Sequence, residues 1–284
     1  MLRRIKGYLK FESGDSAPAE SRLLEEQGYC LIKNVLTSEE IRLLADEISD
    51  VYDSLPRDNR AGDLRSMGDD DCFRYEMLNR GQQCQSVINA PKIRAVLSPL
   101  LGHDFHLIAN TAWRNPPNQS GQHGGQAWHI DAGPHVPLPE GVEWPTDIPH
   151  PVFAVGAHIY LEDCGLKDGP TGVIPGSHLS GQFPPIDQLM NGHLSFNGQG
   201  VEPLLAKAGD VAMFVSDVWH RRMPTEPGES GRFFLQAHYG RRDIAQRLRT
   251  TEQANQLSDA TIARAKTAEQ QSIIGMHPAM FYDG

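Results

Sequence analysis

The sequence predicts a mainly β fold, a sandwich or jelly roll with helices at both ends of the chain, and three observations predict it. Short stretches rich in β-branched and aromatic residues recur from Phe105 onward, Gly/Pro-rich loops separate them, and the first third and the tail carry helical patterns instead. With 284 residues, 39% hydrophobic and 22% charged, the chain can bury a full core without disulfide or metal staples. One domain is expected over 1–284, with a β core at about 105–240 and a helical shell over 17–104 and 244–274.

Each element has its own signal. Ala19 to Gln27 (AESRLLEEQ) has helix-forming composition, and Gly28 can close it. Tyr29 to Lys33 is a short strand. Thr37-Ser38-Glu39-Glu40 is a helix start, a capping hydroxyl followed by acids, and Ile41, Leu44, Ala45 and Ile48 then mark one apolar helix face. Pro56 to Asp71, with the acids Asp69, Asp70 and Asp71, is a charged loop; Pro91 to Leu101 is a helix ending near Gly102. The strands expected next are Phe105–Trp113, Val152–Leu161, Val211–Val215 and Phe233–Tyr239, with long loops at Gly133–Pro151 and Gly181–Pro203. Gly169-Pro170 and Pro175-Gly176 are turn pairs, the second fixed by Ser177 and His178. The polar tail from Ile244 to Ile274 reads as one or two covering surface helices.

Charge and composition exclude several classes. Twenty-six Lys+Arg against 36 Asp+Glu leave a net charge of −10, which opposes binding to nucleic acid or to an anionic membrane surface. No apolar run approaches the ~20 residues of a spanning helix. The opening MLRRIKGYLKFESGDS is basic without a long apolar stretch, so it does not read as a signal peptide, and a cytoplasmic protein is expected. Cys30, Cys72, Cys84 and Cys164 form no C-x-x-C pair and are expected as free, mostly buried thiols. Eleven of the twelve histidines fall between His103 and His238, which places the chemistry in the middle of the chain.

The strongest site signal is Trp128-His129-Ile130-Asp131. In extended chain, residues i and i+2 share a face, so His129 and Asp131 can present donors to one ion. Alone an H-x-D is weak, because a buried histidine is commonly just a hydrogen-bonded core residue. His220 is the best third donor, expected at the end of a strand (GDVAMFVSDVWH). Two imidazoles and a carboxylate with three open positions make the facial arrangement of non-haem Fe(II) oxygenases. Arg232 follows twelve residues after His220 at the start of an apolar strand. A buried guanidinium there wants an anion, and a 2-oxoglutarate site needs one for the tail carboxylate.

Several segments together resemble the phytanoyl-CoA dioxygenase family: Trp128–Asp131, the stretch AHIYLEDCGLKDGPTGVIPGSH (Ala157 to His178), Gly209-Asp210, His220 with Arg232, and the opening GYCLIKNVLTSEEIRLLADEI (Gly28 to Ile48). The resemblance covers roughly residues 20–242. It implies a double-stranded β-helix, Fe(II), 2-oxoglutarate and O₂, with succinate and CO₂ as co-products. Carried over by position, it makes His129, Asp131 and His220 the iron ligands and Arg232 the clamp for the 2-oxoglutarate tail. Gln126 matches a position that touches the co-substrate, His158 stands where relatives have Trp, and Asn110 is a further candidate co-substrate contact. Arg222 stands two residues after the distal histidine, where Ser or Thr is common, which leaves the second partner of the tail carboxylate open. Retention of Asp131 disfavours halogenation.

The expected function is Fe(II)/2-oxoglutarate-dependent oxidation, hydroxylation foremost, of a small-molecule substrate. Desaturation, ring closure and epimerisation begin with the same hydrogen abstraction. The alternatives are a non-catalytic ligand-binding protein of the same fold and a zinc hydrolase using the same ligands. The loops Pro56–Cys84, Gly133–Pro151 and Gly181–Pro203 are expected at the entrance. His123, Trp128, His135 and His150 are candidates for its lining, and Arg65, Arg74, Arg221 and Arg222 permit an anionic group. Substrate identity and oligomeric state are not legible in the sequence.

Overall fold

Two antiparallel sheets build the core of the chain, described by a computed structural model over residues 17–55, 72–114, 125–145, 147–229, 231–246 and 257–278. The larger sheet has six strands: β1 (Tyr29–Ile32), β2 (Phe73–Tyr75), β3 (His106–Arg114), β4 (Ala154–Tyr160), β7 (Val211–Val215) and β9 (Phe233–Gly240), in the order β1-β7-β4-β9-β3-β2. The smaller has β5 (Thr171–Val173), β6 (Glu202–Leu204) and β8 (His220–Arg222), in the order β6-β5-β8. This is the jelly-roll arrangement expected of the double-stranded β-helix, with helices flanking it.

Strand alternation assigns the two faces of the large sheet. On β4, Val155, Ala157 and Ile159 join the core beneath the helices, whereas Tyr160 joins the core between the sheets and His158 shares its side. β7 divides likewise, Val211, Met213 and Val215 to the helices, Ala212 and Phe214 to the interior. Between the sheets, Trp113, Tyr160, Phe214 and Phe234 meet Val173 of β5 and Leu204 of β6.

The N-terminal helices form as the sequence predicts. Helix α1 (Ala19–Gln27) ends at Gly28, whose φ of 83° suits a residue without Cβ and lets its N–H reach the Leu23 and Leu24 carbonyls. A Cβ there would also lie 2.8 Å from His178 Nδ1. Helix α2 (Ser38–Ser54) begins with a reciprocal capping box: the Glu40 N–H donates to the Thr37 hydroxyl and the Thr37 N–H to the Glu40 carboxylate. Leu44 and Ile48 are fully buried under it. The segment expected as loop up to Cys84 instead holds β2, α3 (Met77–Arg80) and the start of α4 (Gln82–Val87); α5 (Pro91–Leu101) follows as expected. Residues 56–71, with Arg65 and the Asp69–Asp71 acids, lie outside the described residues, as does His123.

Two further expectations are corrected. β7 stops at Val215, because Ser216 and Asp217 turn the chain, closed by a bond from the Val218 N–H to the Val215 carbonyl; His220 therefore opens β8 and does not end the preceding strand. In the tail, α6 (Asp259–Arg264) and α7 (Ala268–Ile273) do more than cover the surface, since Ile273 and Ile274 are part of the main core with Leu24 and Leu97. All four cysteines are buried and free. Among the described residues, no helix is long and apolar enough to cross a membrane.

Candidate metal centre and active site

His129 and His220 are brought together by backbone pairing. Each N–H donates to the other's carbonyl at 3.0 Å, which places the segment around His129 at the open edge of β8. The Asp131 N–H then bonds to the Ser216 carbonyl, so the chain bends away after a single bridge. The H-x-D segment is extended without being a full strand. One nitrogen or oxygen from each of His129, Asp131 and His220 lies within 4.8 Å of the others.

Both imidazoles are oriented by their far nitrogens. His129 Nδ1 donates to the Ala127 carbonyl at 2.8 Å and His220 Nδ1 to the Val218 carbonyl at 2.9 Å. A carbonyl can only accept, so each Nδ1 carries a proton, and in the neutral ring Nε2 is then the nitrogen with a lone pair for the shared space, the arrangement that metal-ligating histidines adopt. Asp131 Oδ1 lies 3.5 Å from His220 Nε2, and its buried Oδ2 has no hydrogen-bond partner. A buried carboxylate oxygen left in that state fits a metal ligand, because a cation restores the interaction lost with water.

The electrostatics agree with that fit. Burial pushes the Asp131 carboxyl up, but His220, His238 and His129 more than offset it and hold it below the usual carboxylate range. Burial and then the neighbouring His220 push His129 down to about 4. Burial also depresses His220, yet Asp131 lifts it above its ordinary value. The carboxylate is anionic and His129 neutral near pH 7, the forms a divalent cation requires.

The donors open into a cavity of about 130 Å³. Its lining includes Arg232, whose Nη1 donates to the Thr171 hydroxyl at 3.1 Å and whose guanidinium lies over Trp113 and Phe234, about 5 Å from each ring centroid. The Thr171 hydroxyl, accepting from Arg232, is also hydrogen-bonded to His158 Nδ1 at 3.2 Å. The His158 ring stacks on Phe234 at 4.1 Å; burial first and Arg232 second keep it neutral, well below its ordinary pKa. Gln126 lines the same cavity, anchored by its N–H on the Arg222 carbonyl. Thr171, Trp113 and Phe214 were not singled out from the sequence; the signal available for Thr171 was its alternation with Val173 beside the Gly169-Pro170 turn.

Asn110 does not belong to this wall. Its side-chain carbonyl accepts from the Leu78 N–H at 2.7 Å and its amide donates to the Gln236 carbonyl at 2.8 Å, so it ties β3 to α3 and β9. Both ends of its amide are thus engaged by the protein's own backbone. Trp128 is 1% exposed and donates to the Asn191 carbonyl. His150 is buried against Trp144 and His178, and His135 is held by Asp217, Nδ1 to Oδ1 at 2.5 Å. Arg74 is buried over Tyr52 and donates to the Leu55 and Phe73 carbonyls. A larger cavity of about 620 Å³ lies between α2, α4, α5 and the tail helices and shares no lining residue with the first.

The profile of the phytanoyl-CoA dioxygenase (PhyH) family matches residues 24–224. The chain belongs to the phytanoyl-CoA dioxygenase family. It is accordingly a 2-oxoglutarate-dependent oxygenase that uses Fe(II), 2-oxoglutarate and O₂. Arg232 lies beyond the matched span, so its place rests on geometry. Among curated relatives, the dioxygenase andF of Emericella variicolor is 24% identical over 227 residues, 75% of this chain and 70% of the relative. EctD from S. alaskensis, solved in its apo form, superposes with a TM-score of 0.63 at 17% identity, covering 90% of this chain and 89% of that one. The epimerase SnoN, solved with Fe³⁺, α-ketoglutarate and nogalamycin RO, superposes with a TM-score of 0.60 at 16% identity, covering 84% and 89%. At such identities these structures establish the shared fold.

Proposed function

We propose that this PhyH-family oxygenase hydroxylates a C–H bond of a small molecule, with His129, Asp131 and His220 holding Fe(II) and Arg232 holding the tail carboxylate of 2-oxoglutarate. The observation that carries the reading is that three candidate donors and a buried guanidinium line one small cavity. Bound iron supplies O₂ activation coupled to oxidative decarboxylation of 2-oxoglutarate to succinate and CO₂. The chain's own part is positional. The Ala127 and Val218 carbonyls fix the imidazoles, Thr171 fixes Arg232, and Phe214, Phe234 and Trp113 supply the apolar part of an otherwise polar lining.

A small-molecule substrate is supported by the fold neighbours, EctD having been solved with 2-oxoglutarate and 5-hydroxyectoine and SnoN with nogalamycin RO. One catalytic domain is supported by a main core running from Leu24 to Ile274. A zinc hydrolase would need the same three donors but gives no reason for the Arg232–Thr171–His158 wall. A non-catalytic binder is disfavoured by the intact donor set. The test is a metabolite library screened for substrate-stimulated succinate formation by anaerobically reconstituted protein. A hit whose product gains one oxygen atom supports the reading; succinate release coupled to desaturation, ring closure or epimerisation would replace hydroxylation, and stimulation by Zn(II) alone would overturn the iron assignment.

A further inference from the structure

Asp131 is held differently from the two imidazoles. His129 and His220 are each fixed through Nδ1 by a carbonyl two residues earlier in the chain. The Asp131 carboxylate has His220 Nε2 at 3.5 Å from Oδ1 and no hydrogen-bond partner on Oδ2. Its position is set through the backbone, by the bond from its N–H to the Ser216 carbonyl at 3.0 Å. Ser216 lies in the turn between β7 and β8, is fully buried, and sends its own N–H to the Ala154 carbonyl at the start of β4. Its hydroxyl is hydrogen-bonded to His238 Nε2 at 2.5 Å. His238 is 3% exposed on β9, paired with Gly156 of β4 and Ala109 of β3. The next residue of the turn, Asp217, accepts from the His135 N–H at 2.8 Å and is bonded to His135 Nδ1 at 2.5 Å, a short way beyond Asp131 in the chain.

The turn therefore grips the Asp131 segment at two points, and its serine is tied to β9. Strand alternation puts His238 on the same face of β9 as Phe234 and Gln236, which line the cavity. A buried hydroxyl and a buried imidazole each lose a partner when the other is removed, so their bond fixes the local geometry of the turn. Resting on the Fe(II)/2-oxoglutarate reading above, we infer that Ser216 and His238 are positioning residues for the carboxylate ligand, their side-chain bond pinning the turn from which the Asp131 backbone is held. Neither is among the three candidate donors; both act through Asp131. Groups that orient a metal ligand in this way are worth roughly 10–100-fold in metal affinity.

Titration of the metal-free chain with Co(II), whose visible bands report the ligands and their geometry, tests this. Wild type binds Co(II), and His129→Ala and His220→Ala lose that binding. Ser216→Ala and His238→Ala each weaken Co(II) by about tenfold or more and shift its bands. Both remove the same bond, so the double variant binds no more weakly than the poorer single one. His238→Gln, whose amide can meet the serine hydroxyl, recovers affinity and bands; His238→Leu, which fills the space without a hydrogen bond, does not. Circular dichroism identifies the folded variants, and Ser216→Ala, the smallest change, carries the test if the histidine variants do not fold. Wild-type affinity and bands in folded Ser216→Ala overturn the positioning role and leave the triad standing. A wild type that binds no Co(II), or whose binding survives loss of His129 and His220, overturns the triad, and this inference with it.

Discussion

Arg232 and Thr171 are joined by a 3.1 Å hydrogen bond between β9's entry and the small sheet, and the same threonine hydroxyl continues to His158. Both residues line the cavity that holds the candidate metal donors, and the contact sets the direction of the guanidinium. A planar fork held in that way is pre-organised for a carboxylate.

Removing the fork therefore has a defined cost. Breaking a largely desolvated guanidinium–carboxylate pair costs about 3–5 kcal/mol because one partner stays buried. Each ~1.4 kcal/mol is tenfold in affinity, so Arg232→Ala raises the dissociation constant for 2-oxoglutarate by about two orders of magnitude or more. Arg232→Lys is also weak. Anaerobic titration at fixed Fe(II) checks this, and an unchanged constant removes Arg232 from the clamp.

Thr171→Val keeps the shape and the β-branch but leaves the Arg232 and His158 donor–acceptor chain without its link. Loss of a buried hydrogen-bonding partner costs about 1–3 kcal/mol, so the variant unfolds at lower denaturant and binds 2-oxoglutarate more weakly. Chemical denaturation and titration on the same preparation check both. Unchanged stability would show that the hydroxyl has no structural weight.

Metal binding stabilises the folded chain by mass action, about 2.7 kcal/mol when free metal exceeds its dissociation constant a hundredfold. Thermal unfolding of apo protein with and without Fe(II), under argon, shows the shift in wild type. His129→Ala and His220→Ala keep a folded circular-dichroism spectrum and lose the shift. A full shift in either variant would place the metal elsewhere.

Asp131→Gly removes the carboxylate and opens a coordination position. Substrate hydroxylation is lost, and chloride is given a place to bind. Product analysis in chloride-containing and chloride-free buffer checks this; wild-type hydroxylation kinetics would show that Asp131 is not a ligand.

The acid limb of stability has a specific contributor. Burial pushes His178 down to about 4, with the Glu25 carbonyl opposing and His150 reinforcing the shift. Its unfolded value is about 6.5, so the unfolded chain takes the proton first as pH falls. Stability from neutral His178 is complete above ~6.5 and is lost between there and about 4, on the order of 3 kcal/mol. His178→Gln retains a donor for the Glu25 carbonyl and flattens this limb in denaturation curves taken from pH 7 to 4.5. Parallel curves for variant and wild type would contradict the assignment.

What was legible follows from what leaves a pattern. β3, β4, β7 and β9 are long enough for β-branched and aromatic enrichment to show, and α1, α2 and α5 carry caps and periodicity. β5, β6 and β8 have three residues each, too few for alternation to register. Val218 and Trp219 extend the apolar run past β7 and hide the turn that puts His220 on a new strand. His129, Asp131, His220 and Arg232, which line one cavity, were singled out by residue type and order. The bond of Asn110 to Leu78 spans 32 residues and leaves no local pattern, and Thr171 was passed over because its place appears only when β5 is laid against β8.

Succinate formation from 2-oxoglutarate by the reconstituted chain tests the central claim most directly, measured with Fe(II) or Zn(II) and in wild type beside His220→Ala. The account predicts succinate from wild type with Fe(II) and O₂, none with Zn(II), and none from the variant. Succinate from His220→Ala at the wild-type rate would contradict it.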